Sequence, residues 1–335
     1  MDRVKLGLIG LGEWPRQAYV PALKELEGIE VAAVAAKSSA TQQFARAEFG
    51  GAAVYSDFQD LLDDPRVDAV LLAVPNPIHE NAMLAAVSSG KHLFYEPPVS
   101  HRFESVERLH ATMSAADRVI QPDFELRWLP VVCRLREQLR AGLIGEIRMA
   151  AVRLWCNWGY GGGQWKYNPQ AEGFFPWLSC WYLDVLDCVL AAGPERATVT
   201  GGYAANGRLM DHGWASLEYP GGKIGRFEFN LVAVGGLEVT LSVLGSRGEA
   251  EAELIQGGLR WRGPDGVWQE TAYPAAQPAY GFVGMRECLG GFVESVRTGA
   301  APEPHVEISR RVHTAMLLCA EAERTRATAE LQSLG

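Results

Sequence analysis

The turn Gly10-Leu11-Gly12-Glu13-Trp14-Pro15 follows the apolar run 4–10 and opens a helical pattern. Glycines in such a turn let the backbone bend and bring bare amides close to an anion. A helix N-terminus adds a favourable dipole, and the combination suits the pyrophosphate of a dinucleotide. Gly10, Gly12, Glu13 and Trp14 are therefore expected at a dinucleotide. Pro15 stands where a third glycine is usual and removes one amide donor. Arg16 follows directly and offers charge in its place. The next apolar run, 29–36, leads into Lys37-Ser38-Ser39. A site that prefers NAD carries a carboxylate there for the ribose hydroxyls. Lys37 and Ser38 instead suit a 2′-phosphate, so NADP is preferred to NAD.

Other chemistries find little support. The six cysteines form no Cys-x-x-Cys pair, and the seven histidines show no ligand spacing. Free thiols in a reducing cytoplasm are expected, and no metal site. The net charge of −9 leaves no basic balance for a nucleic-acid binder. No apolar run approaches the roughly 20 residues that span a bilayer. Met1–Lys5 leads straight into a strand, so no signal peptide is expected and a cytoplasmic location is.

These residues need elements to hold them. Apolar runs at 4–10, 29–36, 68–74 and 91–95 read as buried strands, with helices at about 15–27, 40–49 and 79–89 between them. Alternation of this kind implies an α/β fold: a doubly wound parallel sheet with helices on both faces, assigned to 1–122. A helix near 130–141 ends at Gly142. Alternating stretches follow at 146–156, 196–204, 213–219, 224–234, 237–244 and 248–255, then helices near 281–298 and 305–327. They imply an α+β domain, 123–335, with a large open, mostly antiparallel sheet. One face would pack on helices and the other would meet a partner subunit in a homo-oligomer. The 335 residues suffice for two such cores.

With these elements placed, the chain resembles the Gfo/Idh/MocA family (glucose–fructose oxidoreductase, inositol dehydrogenase, rhizopine catabolism) along nearly its whole length. The carriers are Gly10-Leu11-Gly12, Val20-Pro21-Ala22-Leu23, Val67-Asp68-Ala69-Val70 and Pro75-Asn76-Pro77-Ile78-His79. Ser89-Gly90-Lys91-His92, Glu96-Pro97-Pro98, Leu126-Arg127-Trp128-Leu129-Pro130, Gly142-Leu143-Ile144-Gly145 and Gly245-Ser246-Arg247-Gly248 continue the match in order. The resemblance implies a Rossmann domain followed by a sheet domain used for oligomerisation. It places Pro75, Asn76, Glu96 and Pro97 at the cofactor and His79 beside its nicotinamide end. It places Arg127 toward the substrate cleft.

The same resemblance marks this chain as atypical. Typical members carry a Glu-Lys-Pro motif whose lysine hydrogen-bonds the reacting oxygen. Here Glu96 and Pro98 match, and Pro97 stands at the lysine. Members also carry an aspartate and a histidine four residues apart on a helix that ends in a further aspartate. Asp184 matches that final aspartate, while Trp177 and Trp181 stand at the other two positions. Proline takes no proton, and an indole N–H is only a donor. Losing acid–base help costs about 10²–10⁴-fold in rate, and losing an oxyanion donor about 10²–10³-fold. Ordinary sugar oxidation is therefore not expected.

The leading expectation is a reductase of a bulky or aromatic acceptor. A non-redox sensor or partner subunit, and an enzyme repurposed without net redox, stay open as alternatives. Trp155, Trp158, Trp165, Trp177 and Trp181 are half of the ten tryptophans and would offer flat faces around the cleft. Substitute proton donors are Lys166, where the family often has a basic residue, and the phenols Tyr160, Tyr182 and Tyr95. The glycine-rich stretch 157–165 reads as a loop able to close over a ligand.

Overall fold

The computed structural model describes residues 3–157, 173–205, 209–276 and 283–334. The chain divides into two compact units: Met1–Asp123 with Ala279–Arg310, and Phe124–Pro278 with Arg311–Gly335.

In the first unit, strands β1 (Val4–Ile9), β2 (Ile29–Ala35), β3 (Ala53–Tyr55), β4 (Ala69–Leu72), β5 (His92–Tyr95) and β6 (Ile120–Pro122) form one parallel sheet. Their order is β3-β2-β1-β4-β5-β6. Helices α1 (Glu13–Gln17), α2 (Tyr19–Glu25), α3 (Ser39–Glu48), α4 (Phe58–Leu62), α5 (Asn76–Ser88) and α6 (Phe103–Ala115) make the crossovers. The strand order reverses between β1 and β4, so a crevice opens there at the carboxyl ends of the strands. The central strands read as continuous apolar runs because both of their faces are covered; β4 is buried at every residue.

The helix expected at 15–27 is two helices that meet at Ala18. Pro21 lacks the N–H that would bond the Gln17 carbonyl and continue the ladder, which accounts for the break.

The second unit holds α7 (Pro130–Arg140), β7 (Ile147–Trp155), α8 (Phe174–Leu178) and α9 (Cys180–Leu190). Strands β8 (Arg196–Gly202), β9 (His212–Tyr219), β10 (Lys223–Asn230), β11 (Glu238–Gly245), β12 (Glu249–Glu253), β13 (Gly258–Arg262) and β14 (Gln269–Ala272) follow. After helices α10 (Val283–Thr298) and α11 (Val306–Thr325), β15 (Ala329–Glu330) closes the chain. The second sheet runs β14-β13-β12-β11-β7-β10-β9-β8-β15. Every pairing in it is antiparallel except β7 with β10.

The inner face of that sheet is an aromatic core. Phe174 stacks on Phe229 with centroids 3.8 Å apart, and Tyr182 stacks on Phe227 at 5.3 Å. The outer face leaves Met149, Trp214, Ile224 and Leu244 exposed. On β7, Ala150, Val152 and Leu154 are buried while Met149, Arg153 and Trp155 alternate with them. Trp155 is thus an outer-face residue, corrected from its expected place at the substrate cleft. The Arg153 guanidinium lies 4.3 Å from its ring.

The boundary also differs from the expected 1–122 and 123–335. Residues 279–310 return to the first unit. There Phe292 of α10 packs edge-on against Phe94 of β5 at 5.6 Å, and Gln121 donates to the Cys288 carbonyl at 2.9 Å. Such contacts join segments more than 160 residues apart, which local pattern does not reveal.

Candidate nucleotide site and flanking residues

The phosphate turn is built by two glycines with different duties. Gly10 has φ of +90°, and a Cβ there would lie 2.2 Å from the Ala73 carbonyl oxygen, so the position admits only glycine. Gly12 is exposed, and a Cβ on it would meet nothing within 4 Å. Its backbone faces open space at the start of α1. Such a cradle fits the pyrophosphate of a dinucleotide.

At the end of β2, Ser38 caps α3: its Oγ accepts from the Thr41 amide at 3.1 Å and sits 2.8 Å from the Thr41 hydroxyl. Arg16 was expected beside the pyrophosphate. Its guanidinium instead donates to the Thr41 hydroxyl at 3.1 Å and to the Leu11 carbonyl at 3.0 Å, and rests 4.3 Å from the Phe44 ring. Arg16, Ser38 and Thr41 thereby form one polar group at the carboxyl end of β2. Lys37 extends beside it and pairs with Asp57 at 3.3 Å. Asp57 caps α4, and its carboxyl is held below the usual range by the Gln59 amide first and by Lys37 second. Thr41 and Asp57 were missed in the sequence. The spacing of Ser38 to Thr41, a cap and its third helical residue, was the available signal for Thr41.

The other end of the crevice is less ordinary. Glu96 leaves the carboxyl end of β5, followed by the buried pair Pro97-Pro98, whose peptide bond is cis. Glu96 Oε2 accepts from the Trp14 indole at 3.0 Å and from the Tyr19 hydroxyl. The same hydroxyl lies 2.5 Å from Asp123 Oδ2. Asp123 is fully buried, and burial pushes its carboxyl up to about 8. Pro75 precedes the first turn of α5, Asn76 opens it, and His79 lies buried one turn on at 3% exposure.

In the second unit Arg127 is corrected from a substrate contact to an internal ion pair. It is 1% exposed, donates through Nε to Asp184 at 2.9 Å and through a second nitrogen to the other oxygen of that carboxylate. Asp187 stands 3.8 Å from Arg127 and is held by Arg311 at 2.7 and 2.8 Å. Burial raises the Asp184 carboxyl to about 6 despite the guanidinium beside it.

Tyr182 is also corrected. It lies in the aromatic core, and burial drives its phenol well above the usual range, away from any acid role near neutrality. The helix expected through 173–184 is α8 and α9, parted at Ser179. Ser179 keeps helical dihedrals (φ −75°, ψ −20°), so Trp177 and Trp181 remain one turn apart. Both are half-buried, and the Trp181 Nε1 is buried with no hydrogen-bond partner among the described residues. Trp158, Tyr160, Trp165 and Lys166 lie outside the described residues.

Residues 4–124 match the model of an oxidoreductase family with an NAD-binding Rossmann fold, and residues 132–251 match the GFO/IDH/MocA C-terminal domain. The chain belongs to the Gfo/Idh/MocA family. An uncharacterised oxidoreductase of Rhizobium meliloti is 30% identical over 148 residues, 44% of each chain. The mouse trans-1,2-dihydrobenzene-1,2-diol dehydrogenase is 27% identical over 279 residues, 78% of this chain and 80% of that one. Levoglucosan dehydrogenase in complex with NADH superposes with a TM-score of 0.89 over 98% of this chain and 99% of that one, at 16% identity. That likeness concerns the fold. As a Gfo/Idh/MocA member the chain carries an NAD(P)-binding Rossmann unit. Among the described residues, no helix is long and apolar enough to cross a membrane.

Proposed function

We propose that this protein is an NADP-linked reductase of a bulky or aromatic acceptor, and not a sugar dehydrogenase. The observation that carries this reading is the end of β5. Pro97 is buried there, and the side chain that meets Trp14 and Tyr19 is the carboxyl of Glu96. A buried proline offers neither the ammonium nor the N–H that polarises a sugar carbonyl. The indoles at Trp177 and Trp181 support an acceptor with a flat apolar face, and the unpartnered Trp181 N–H would donate to one polar atom on it. The mouse relative, aligned over 78% of the chain, is named for a dihydrobenzene diol, a ring compound that is not a sugar.

Gly10, Gly12, Glu13 and Trp14 would hold the pyrophosphate. Arg16, Lys37, Ser38 and Thr41 would receive a 2′-phosphate, whose charge would draw Lys37 from its exposed pair with Asp57. Pro75, Asn76, His79 and Glu96 would border the nicotinamide, which supplies a hydride when bound in its reduced form.

Titration of the protein with NADPH and NADH, read by nicotinamide fluorescence, tests the reading. Tighter binding of NADPH, with oxidation in the presence of planar enones or imines, is expected. Binding without turnover across a carbonyl and imine panel would favour a non-redox sensor.

A further inference from the structure

We propose that Asp123, Tyr19 and Glu96 form a proton-carrying chain that serves the reaction end of the nucleotide site in place of the missing lysine. This rests on the oxidoreductase reading above.

The geometry of one phenol carries the inference. Tyr19 Oη is within hydrogen-bond reach of a carboxyl on each side, Glu96 Oε2 and Asp123 Oδ2. A phenol has one proton, so it donates to one carboxyl and accepts from the other. The second contact requires that one carboxyl be protonated. Glu96 is half-buried and takes a second donor, the Trp14 indole at 3.0 Å. Asp123 is at 0% exposure. Burial disfavours charge, so the proton resides on Asp123 and the anion on Glu96. The carboxyl of Asp123, raised to about 8, agrees with that placement.

The titratable groups that face Asp123 are Tyr19 of α2, Glu96 after β5 and Cys288 of α10. No lysine, arginine or histidine acts on it among the described residues. The order is therefore Asp123 O–H to Tyr19, and Tyr19 O–H to Glu96. The phenol is fixed by edge-on contacts, with Trp14 at 6.5 Å and Phe94 at 6.0 Å. Trp14 belongs to the phosphate turn, so its bond to Glu96 places the outer end of the chain beside the dinucleotide cradle.

Reduction of a C=X acceptor adds a hydride to carbon and moves the π pair to X. As negative charge builds on X, Asp123 passes its proton to Tyr19, Tyr19 passes its own to the Glu96 carboxylate, and Glu96 hands that proton to X, which leaves Asp123 ionised and Tyr19 and Glu96 as they began. One proton leaves the chain per hydride added, and water returns it after product departs. Tyr19 and Asp123 act through Glu96 and are positioning residues.

Two measurements on the full chain test this. Infrared difference spectra across pH, taken without nucleotide, read a buried protonated carboxyl by its C=O stretch. The band is expected in the native protein and in Glu96→Gln, and absent in Asp123→Asn. Proton release into weakly buffered solution is then compared for NADP⁺ and NADPH. The two carry the same phosphates, and only the oxidised ring is cationic, so it favours the ionised carboxyl. Release with NADP⁺ alone is expected from the native protein, and none from Asp123→Asn or Tyr19→Phe. If Asp123→Asn does not fold, Tyr19→Phe, which keeps the ring, carries the test. Equal release from native and variant proteins with nucleotide bound overturns the chain alone. Failure of both nucleotides to bind, seen by fluorescence, overturns the oxidoreductase reading and with it the role of the chain.

Discussion

One phenol, Tyr19, lies within hydrogen-bond reach of two carboxyls, Glu96 and Asp123. Glu96 was legible in the sequence because it sits in a motif. Tyr19 and Asp123 were not, because 104 residues separate them and only the packing of α2 beside β5 and β6 brings them together. Arg127 failed as a substrate contact for a similar reason: an arginine in a cleft motif and an arginine buried on two aspartates look alike until the helix that carries Asp184 and Asp187 is placed. The ion pair yields a prediction. Arg127→Met should lower stability by about 3–5 kcal/mol, because it strands the buried Asp184 carboxylate, and chemical denaturation would measure the loss. Asp184→Asn in the Arg127→Met background should recover part of it; no recovery would mean that lost packing dominates. At the ribose end, Lys37→Ala should weaken NADPH binding far more than NADH binding. Equal weakening would refute the preference for the 2′-phosphate.

At the scale of elements, the parallel sheet was readable because its strands are buried on both faces and therefore uniformly apolar. The second sheet was readable because its strands alternate. Prolines set the errors at helix boundaries, as at Ala18 between α1 and α2. Strands β13, β14 and β15 carry too few apolar residues to stand out. The sharpest elemental constraint is the turn from β1 into α1. Gly10→Ala would force a Cβ against the Ala73 carbonyl at a φ of +90°. It should abolish nucleotide binding and lower the melting temperature, as fluorescence and calorimetry would show. Gly12→Ala meets nothing within the protein, so it should leave stability near native and weaken only the nucleotide. A second constraint lies in α6. His110 is buried, donates through Nδ1 to the Val106 carbonyl at 2.8 Å and meets the Ser309 hydroxyl through Nε2 at 2.9 Å. Burial lowers its imidazole to about 4, below its unfolded value near 6.5. Its neutral form therefore contributes stability that is complete above about pH 6.5 and lost as the pH falls toward 4. His110→Gln should flatten that part of the stability profile; an unchanged slope would place the acid sensitivity elsewhere.

At the scale of the whole molecule, the open face of the nine-stranded sheet poses the remaining question. Its exposed apolar residues, Met149, Trp214, Ile224 and Leu244, come from β7, β9, β10 and β11, four strands adjacent in the sheet. Met149, Ile224 and Leu244 stand side by side in the strand register, an exposed apolar row that suits a partner surface. Around it, arginines pair with carboxylates and lie over rings: Arg226 sits 4.9 Å from the Trp214 ring and 3.5 Å from Glu228. A two-fold interface sets the same patch of both copies against itself, and paired charges of both signs beside an apolar row suit that arrangement. A second copy of this chain is accordingly its proposed occupant. Ile224→Glu would place a charge within the strip without touching the buried face of β10, where Phe227 and Phe229 point. Light scattering coupled to size exclusion should show a dimer or larger for the native chain and a monomer for Ile224→Glu. Circular dichroism should show the same fold in both. A native chain that elutes as a monomer at micromolar concentration would leave this face without its proposed partner. The nucleotide contacts proposed above belong to the Rossmann unit and not to this face. Nucleotide affinity should therefore survive in Ile224→Glu, and its loss there would tie the outer sheet to the site.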